Sequence, residues 1–522
     1  MTAIDAHAAI DSRHTAEFLR VKALAERGVA NAQHSLGFMY VNGQGVPQNF
    51  ELAVAWYRMA ATSGLEHAQY NLGVMYQKGQ GVGQDYEQAV HWYQLAAEQG
   101  YAAAQYNLGW LYAKGQGVHQ NTQLAMLWFS RAAEQGDAGA QNNLGMMYDT
   151  GKGVPQDYKQ AVTWYRKAAE QGYARAQFNL GLRYDLGQGV PQDVMQAVSW
   201  FRKAADQGYA PAQFNLALRY DKGQDVPQDS QKAVSWYRRA AEQGHASSQF
   251  NLGLIYDSGG HGVPRDEGFA LDWFRKAAEQ GHAGAQDNIG LRCELAHDHD
   301  TALTWYLKAA GQGFASAQYH LGLLYAAGQG VEADAREAFS WYSKAAEQGH
   351  LRAQFDLGLC YEAGTGVAQN YRAALACYLR AAEQDYAPAQ FSVGALFDLD
   401  DAGMLDGHQA LHWYRKAADQ GHARAQFALG LRYDSGQGVA RDYEAAHFWY
   451  LCAAQQGHAR AQLNLGLMCA SGQGTERDLE QAYVWLSLAD KAGELAARRY
   501  LKEASGRLSP IQLARLQSHA AG

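Results

Sequence analysis

The chain has 522 residues, a formal net charge of −8 and no block of Lys or Arg. That balance excludes nucleic-acid binding by counterion release, which needs clustered cations. Hydrophobic residues make up 48% of the chain, Pro only 8 residues, and the 5 Cys are scattered. These features describe a mostly helical protein with a large core and no disulfide framework, as in a reducing compartment.

Residues 1–28 begin with a polar segment. No signal-peptide run lies between Met1 and Arg20, and no stretch approaches a membrane span. The expectation is a soluble, cytoplasmic chain without membrane insertion. From His14 to Arg27, Phe18, Leu19, Val21, Leu24 and Ala25 fall at helical spacing and the run ends at Gly28, which reads as an N-capping helix.

Residues 29–493 repeat one frame in thirteen copies, most regularly in the 36 residues Ala174–Tyr209. Twelve of the 13 Trp index it, from Trp56 to Trp485, with Cys377 in the remaining place. Their regularity marks them as core wedges. Seven residues before each Trp stands Asp or Asn, from Asn49 to Asp478, the position of a helix N-cap. Three before each is Ala, a side chain small enough for close helix approach. Eight after each is Gly, from Gly64 to Gly493, except Asp385, which marks a left-handed helix end.

The first half of the frame carries Gln33, Gln69, Gln105 and their equivalents. Four residues after each comes Gly, with Ala217 the exception. Gly inside a helix costs about 1 kcal/mol, so its recurrence marks close helix–helix contact. Two helices per copy, each able to bury its apolar face only against neighbours, give an α/α solenoid.

The frame breaks twice. Near 290–301 the Gly-x-Gly loop is lost, leaving 32 residues between Trp273 and Trp305. Near 394–408 the loop becomes Asp398-Leu399-Asp400-Asp401-Ala402-Gly403. Both are candidate points of changed curvature. Residues 494–522 read as C-terminal capping helices, one over Glu494 to Ser505 and one opened by Ser509-Pro510 and running to about Ala520.

Three motifs resemble the Sel-1-like repeat family, relatives of tetratricopeptide repeats. They are Ala-x-Ala-Gln-x-x-Leu-Gly-x-x-Tyr in Ala174–Tyr184, Gly-x-Gly-Val, and Ala-x-x-Trp-Tyr-x-x-Ala-Ala in Ala161–Ala169. The resemblance implies an all-α, right-handed superhelix and a role as scaffold or adaptor in protein complexes. Bacterial members are associated with signalling, envelope processes and host interaction.

In tetratricopeptide arrays the first helices line a concave face. Carried over, the residue two before the motif Gly projects into the groove. It is Asn71, Asn107, Asn143, Asn179, Asn215, Asn251, Asn288 and Asn464. Amides spaced ~9–10 Å apart can donate to and accept from an extended peptide backbone. Beside them runs an apolar stripe of Val74, Trp110, Met146, Leu182, Leu218 and Leu254, in which Trp110 is the one Trp outside the indexed position. Arg183, Arg219 and Arg432 each precede an acid by two residues and offer selection of charged partner side chains. The plain alternative is that the stripe is inter-repeat core, the amides bond within the array and the charges form a solvated face.

Catalytic and ligand chemistry is weakly represented. Cys293, His297 and His299 have metal-like spacing, but Asp298 between them occupies the N-cap position of the frame. The recurrent His at 245, 282, 350, 422 and 458 alternates with Tyr101, Tyr173 and Tyr209, as in a packing slot. No Gly-Lys-Ser/Thr follows the Gly-x-Gly loops. Cysteine-rich relatives are linked to penicillin hydrolysis, but their paired cysteines and a Ser-x-x-Lys motif are both missing here. The expectation is a non-catalytic protein or peptide binder without cofactor or metal. The alternatives are a structural assembly protein using its outer face or ends and, less favoured, a hydrolase.

Overall fold

Each copy of the frame folds as two antiparallel α-helices, from Ala30–Asn42 with Phe50–Thr62 to Ala459–Ser471 with Leu479–Lys491. The computed structural model describes residues 16–399 and 405–520, and every element among them is helical. A helix over 16–26 precedes the array, and Leu495–Gly506 and Pro510–Ala520 follow it. The helix pairs gather into two compact units, one ending at Trp273 and one starting at Phe274.

Local chemistry sets the helix ends. Asn49, Asp85 and Asp193 accept from the backbone N–H three residues on, at 2.9–3.0 Å, as N-caps. Gly64 and Gly100 leave the second helices at φ 89° and 92°, and Asp385 takes the same left-handed region at 60°. In the shortened copy Asp298 caps Thr301 directly, with His297 at φ 61° replacing the loop. Of the altered loop near 394–408, Asp400 to Gly403 lie outside the described residues.

Helix pairs close on the motif Gly. A Cβ on Gly73 would lie 2.7 Å from the Tyr93 ring, and one on Gly145 2.7 Å from that of Tyr165. The aromatic that seats there follows the indexed Trp by one residue, and Tyr93, Tyr165, Tyr237 and Phe201 are almost wholly buried. This corrects the reading of the Trp as the wedge. Trp128, Trp273, Trp413 and Trp449 are buried, but Trp56, Trp92 and Trp164 stand half-buried between repeats. Where the residue three after the Trp is Lys or Arg, it lies over the ring, as Lys167 Nζ lies 4.1 Å from the Trp164 ring centre, Lys203 Nζ 4.0 Å from that of Trp200 and Lys344 Nζ 3.8 Å from that of Trp341.

The motif Gln ties successive helices. Gln105 donates Nε2 to the Ala97 carbonyl at 3.0 Å, and its Oε1 accepts from Gln135 Nε2 at 2.7 Å. The same pair of bonds joins Gln69, Gln177 and Gln426 to their neighbours. The ladder stops where the later Gln is replaced. Ser63 and Ala492 stand in those places, and the buried Oε1 atoms of Gln33 and Gln462 have no partner.

Candidate partner-binding face

Side chains at positions two and five after the motif Gln lie one helical turn apart and so share a face of the first helix. The eight Asn in the first of these positions (Asn71, Asn107, Asn143, Asn179, Asn215, Asn251, Asn288 and Asn464, the last beside the Tyr450 hydroxyl) are all half-buried. Each has an anchor in the chain. Asn71 Nδ2 lies 2.8 Å from His34 Nε2, and Asn179 Nδ2 donates to Asn142 Oδ1 at 3.0 Å, both reaching into the preceding repeat. Asn107 meets the Tyr70 and Tyr93 hydroxyls, Asn143 that of Tyr106 and Asn251 that of Tyr237. Asn215 and Asn288 donate along their own helices to Pro211 and Gly284 at 3.4 and 3.5 Å. One or two anchors leave part of each amide's bonding capacity unused, since an amide offers two donors and two lone pairs.

The apolar stripe beside the amides reaches solvent. Met146 is 45% exposed and Leu254 40%, and the same position holds Phe38 at 47%. Val74, Leu182 and Leu218 are half-buried. Trp110 is also half-buried and packs against the cores of its own repeat and the next. In the second unit Leu291, Leu359 and Leu431 occupy the position with about two-fifths of their surface exposed.

Arg183 and Arg219 do not present their charge to solvent, contrary to expectation. Arg183 is paired with Asp149 of the preceding repeat at 2.8 Å, and its side chain is 12% exposed. Arg219 is buried and bridges Asp185 at 2.6 Å and Asp225 at 2.5 Å. Arg432 likewise pairs with Asp398. The acid two residues on points elsewhere, because residues two apart leave a helix on opposite sides.

The recurrent His fills a capping and stacking slot. His422 and His458 Nδ1 accept from the N–H three residues on at 3.3 and 3.2 Å. The His458 ring stacks on Phe427, and the His422 ring packs at a tilt against Phe391. Burial, then the Arg424 guanidinium, holds both below the ordinary imidazole range. Asp137 performs the same capping at 2.7 Å in an earlier repeat. Sequence reasoning missed the Gln ladder and the inter-repeat ion pairs. The invariance of Gln pointed to the first, but nothing local pointed to the second.

No helix among the described residues is long and apolar enough to cross a membrane. No curated protein matches the chain. A protective antigen of uropathogenic Escherichia coli with an SLR fold is 33% identical, over 96% of this chain and 92% of that one, with a TM-score of 0.49. A Sel1 repeat protein from Oxalobacter formigenes is 35% identical, over 47% of this chain and 96% of that one, with a TM-score of 0.44. The sequence profile of the Sel1 repeat matches in thirteen segments, from 30–65 to 459–493, with the irregular copy matched only over 290–314. By that match through nearly its whole length, the chain belongs to the Sel1 repeat family.

Proposed function

We propose that this protein is a non-catalytic scaffold that holds an extended segment of a partner protein against the first-helix face of its repeats. Sel1 repeats commonly mediate protein–protein interaction. The observation that carries the finer reading is the solvent-exposed apolar stripe, Phe38, Met146 and Leu254 in the first unit, running beside half-buried amides. Large apolar side chains left in a row on a soluble surface cost free energy unless a partner covers them. Amides on the same face give a backbone somewhere to bond, at about 0.5–1.5 kcal/mol each. Such a face is concave in the tetratricopeptide arrangement, and a ladder of that kind reads extended shape more than sequence.

The test replaces Asn107, Asn143, Asn179 and Asn215 with Ala in the full chain. Proteins captured by wild type and variant are compared by mass spectrometry, with circular dichroism as the folding check. Loss of the captured partner from a folded variant is the expected result, and unchanged capture sinks the reading. An assembly protein using its ends is favoured by Leu495 and Ile511, 73% and 84% exposed in the last two helices. Light scattering that rises with concentration, and falls on Ile511→Glu, would mark that second reading.

A further inference from the structure

The amide row changes character in the second unit. Between Asn288 and Asn464 the positions occupied by Asn elsewhere hold His320, Asp356, Ser392 and Ala428. Where Ala428 presents only a methyl group, a cavity of about 680 Å³ opens on the same face. Phe391, Phe427 and the 42%-exposed Leu431 give it apolar walls.

Its rim is cationic. Arg424 and Arg460 stand four residues before Ala428 and Asn464, one helical turn away on the shared face. Arg460 approaches Glu494 only loosely, at 3.9 Å, with its side chain 74% exposed. Arg424 is exposed and pairs with no carboxylate among the described residues. Arg432 at the base is neutralised by Asp398, so the lining keeps one uncompensated cation in a chain whose net charge is −8. A pocket with apolar walls and a guanidinium rim fits a carboxylate next to an apolar side chain, because guanidinium binds carboxylate in a two-pronged geometry.

Resting on the groove reading above, we propose that this pocket receives an acidic segment of the partner protein. A carboxylate of the segment pairs with Arg424 and Arg460 while the adjoining apolar side chain covers Leu431 and Phe427. The second unit thereby supplies side-chain selectivity that a row of backbone-binding amides lacks. Ala428 is the specificity-determining residue, since Asn there narrows the pocket and sets a polar amide against the apolar side chain.

The probe is a fluorescein-labelled peptide alternating Glu with Phe and Leu, compared with its Gln-for-Glu isostere by fluorescence anisotropy on the full chain. The acidic peptide is expected to bind at least about tenfold more tightly, the usual worth of a charge-assisted over a neutral bond. Arg424→Gln with Arg460→Gln should erase that preference, and Ala428→Asn should weaken binding of both peptides without changing the charge. Equal binding of the two peptides, a preference that survives the double Arg variant, or indifference to Ala428→Asn would each overturn the proposal. Self-association lost in the double Arg variant would assign the pocket to a second copy and also overturn it. The two readings fail separately. Absence of peptide preference while the Asn-to-Ala variant still loses its partner removes the pocket alone, and unchanged partner capture removes the groove.

Discussion

Gln99 donates its Nε2 to Gln69 Oε1 across 2.7 Å, joining residues thirty apart. Each such bond satisfies a buried amide oxygen, and the ladder of them runs along both units. At its ends Gln33 and Gln462 keep buried oxygens without donors.

Completing the ladder should stabilise the protein. Ser63→Gln and Ala492→Gln each place a donor where every regular repeat has one. An unmade bond to a buried acceptor costs about 1–3 kcal/mol, and its restoration should recover about 1 kcal/mol. Urea unfolding should show a higher midpoint for each variant. A midpoint unchanged or lowered in both would mean that the ladder does not hold the ends.

The motif Gly should be intolerant of a single methyl group despite lying in a helix. Gly145→Ala gains up to about 1 kcal/mol of helix propensity. It also drives a Cβ to 2.7 Å from the Tyr165 ring, and overpacking of this kind costs about 1–3 kcal/mol. Net destabilisation is expected. Ala217 occupies the equivalent position in its own copy, and it and Tyr237 are both wholly buried, so this copy already accommodates the methyl group. Ala217→Gly should therefore lose only about 0.5–1 kcal/mol through backbone entropy. Thermal melts of the two variants compare the positions directly.

Acid should loosen the later repeats. His282, His350, His422 and His458 cap helices through an unprotonated Nδ1. Burial lowers each below the ordinary value of 6.5. With the folded value depressed, the unfolded chain binds more protons as pH falls, so stability is full above 6.5 and is lost as pH drops through the folded value. The melting temperature should fall over that window. His422→Asn and His458→Asn, which keep a capping oxygen, should flatten the fall. An unaltered pH profile in the double variant would show that these imidazoles do not drive it.

Arg219 should matter for stability first. Arg219→Ala removes the guanidinium that bridges Asp185 and Asp225, whose side chains stay 24% and 29% exposed, and the lost charge-assisted bonds cost about 1.5–3 kcal/mol. Asp225 also sits at φ 64°, a region its partner helps it hold. A lowered melting temperature is expected. A variant as stable as wild type would return Arg219 to the list of partner-facing charges.

These features were not equally legible in the chain. Asn49 and Asp85 could be read as caps because capping is a relation among residues three apart. Gly73 could be read as a close contact because Gly is otherwise costly in a helix. Its partner, Tyr93, stands next to the larger Trp92, and the sequence does not mark which of the two rings meets the Gly. The depth of burial depends on which side of the second helix faces the first. Arg183 stands two residues before Asp185 in the chain, while Asp149, 34 residues back, holds it in space. Contacts between repeats depend on how one helix pair is set against the next. A periodic sequence states that such contacts recur but not which positions meet. The pocket at Ala428 is legible only in retrospect, as a gap in the Asn row with Arg424 one turn away.

The proposed scaffold role requires that a partner cover the first-helix face. Met146→Glu with Leu254→Glu places two charges on the exposed stripe of the first unit, at sites where folding tolerates them. Met195→Glu, at a position 72% exposed on a second helix, is the control. The measurement is the amount of partner protein retained by each immobilised variant. The face predicts at least a tenfold loss, about 1.4 kcal/mol, for the stripe variant and none for the control. Equal retention by both, with helicity intact, would contradict it.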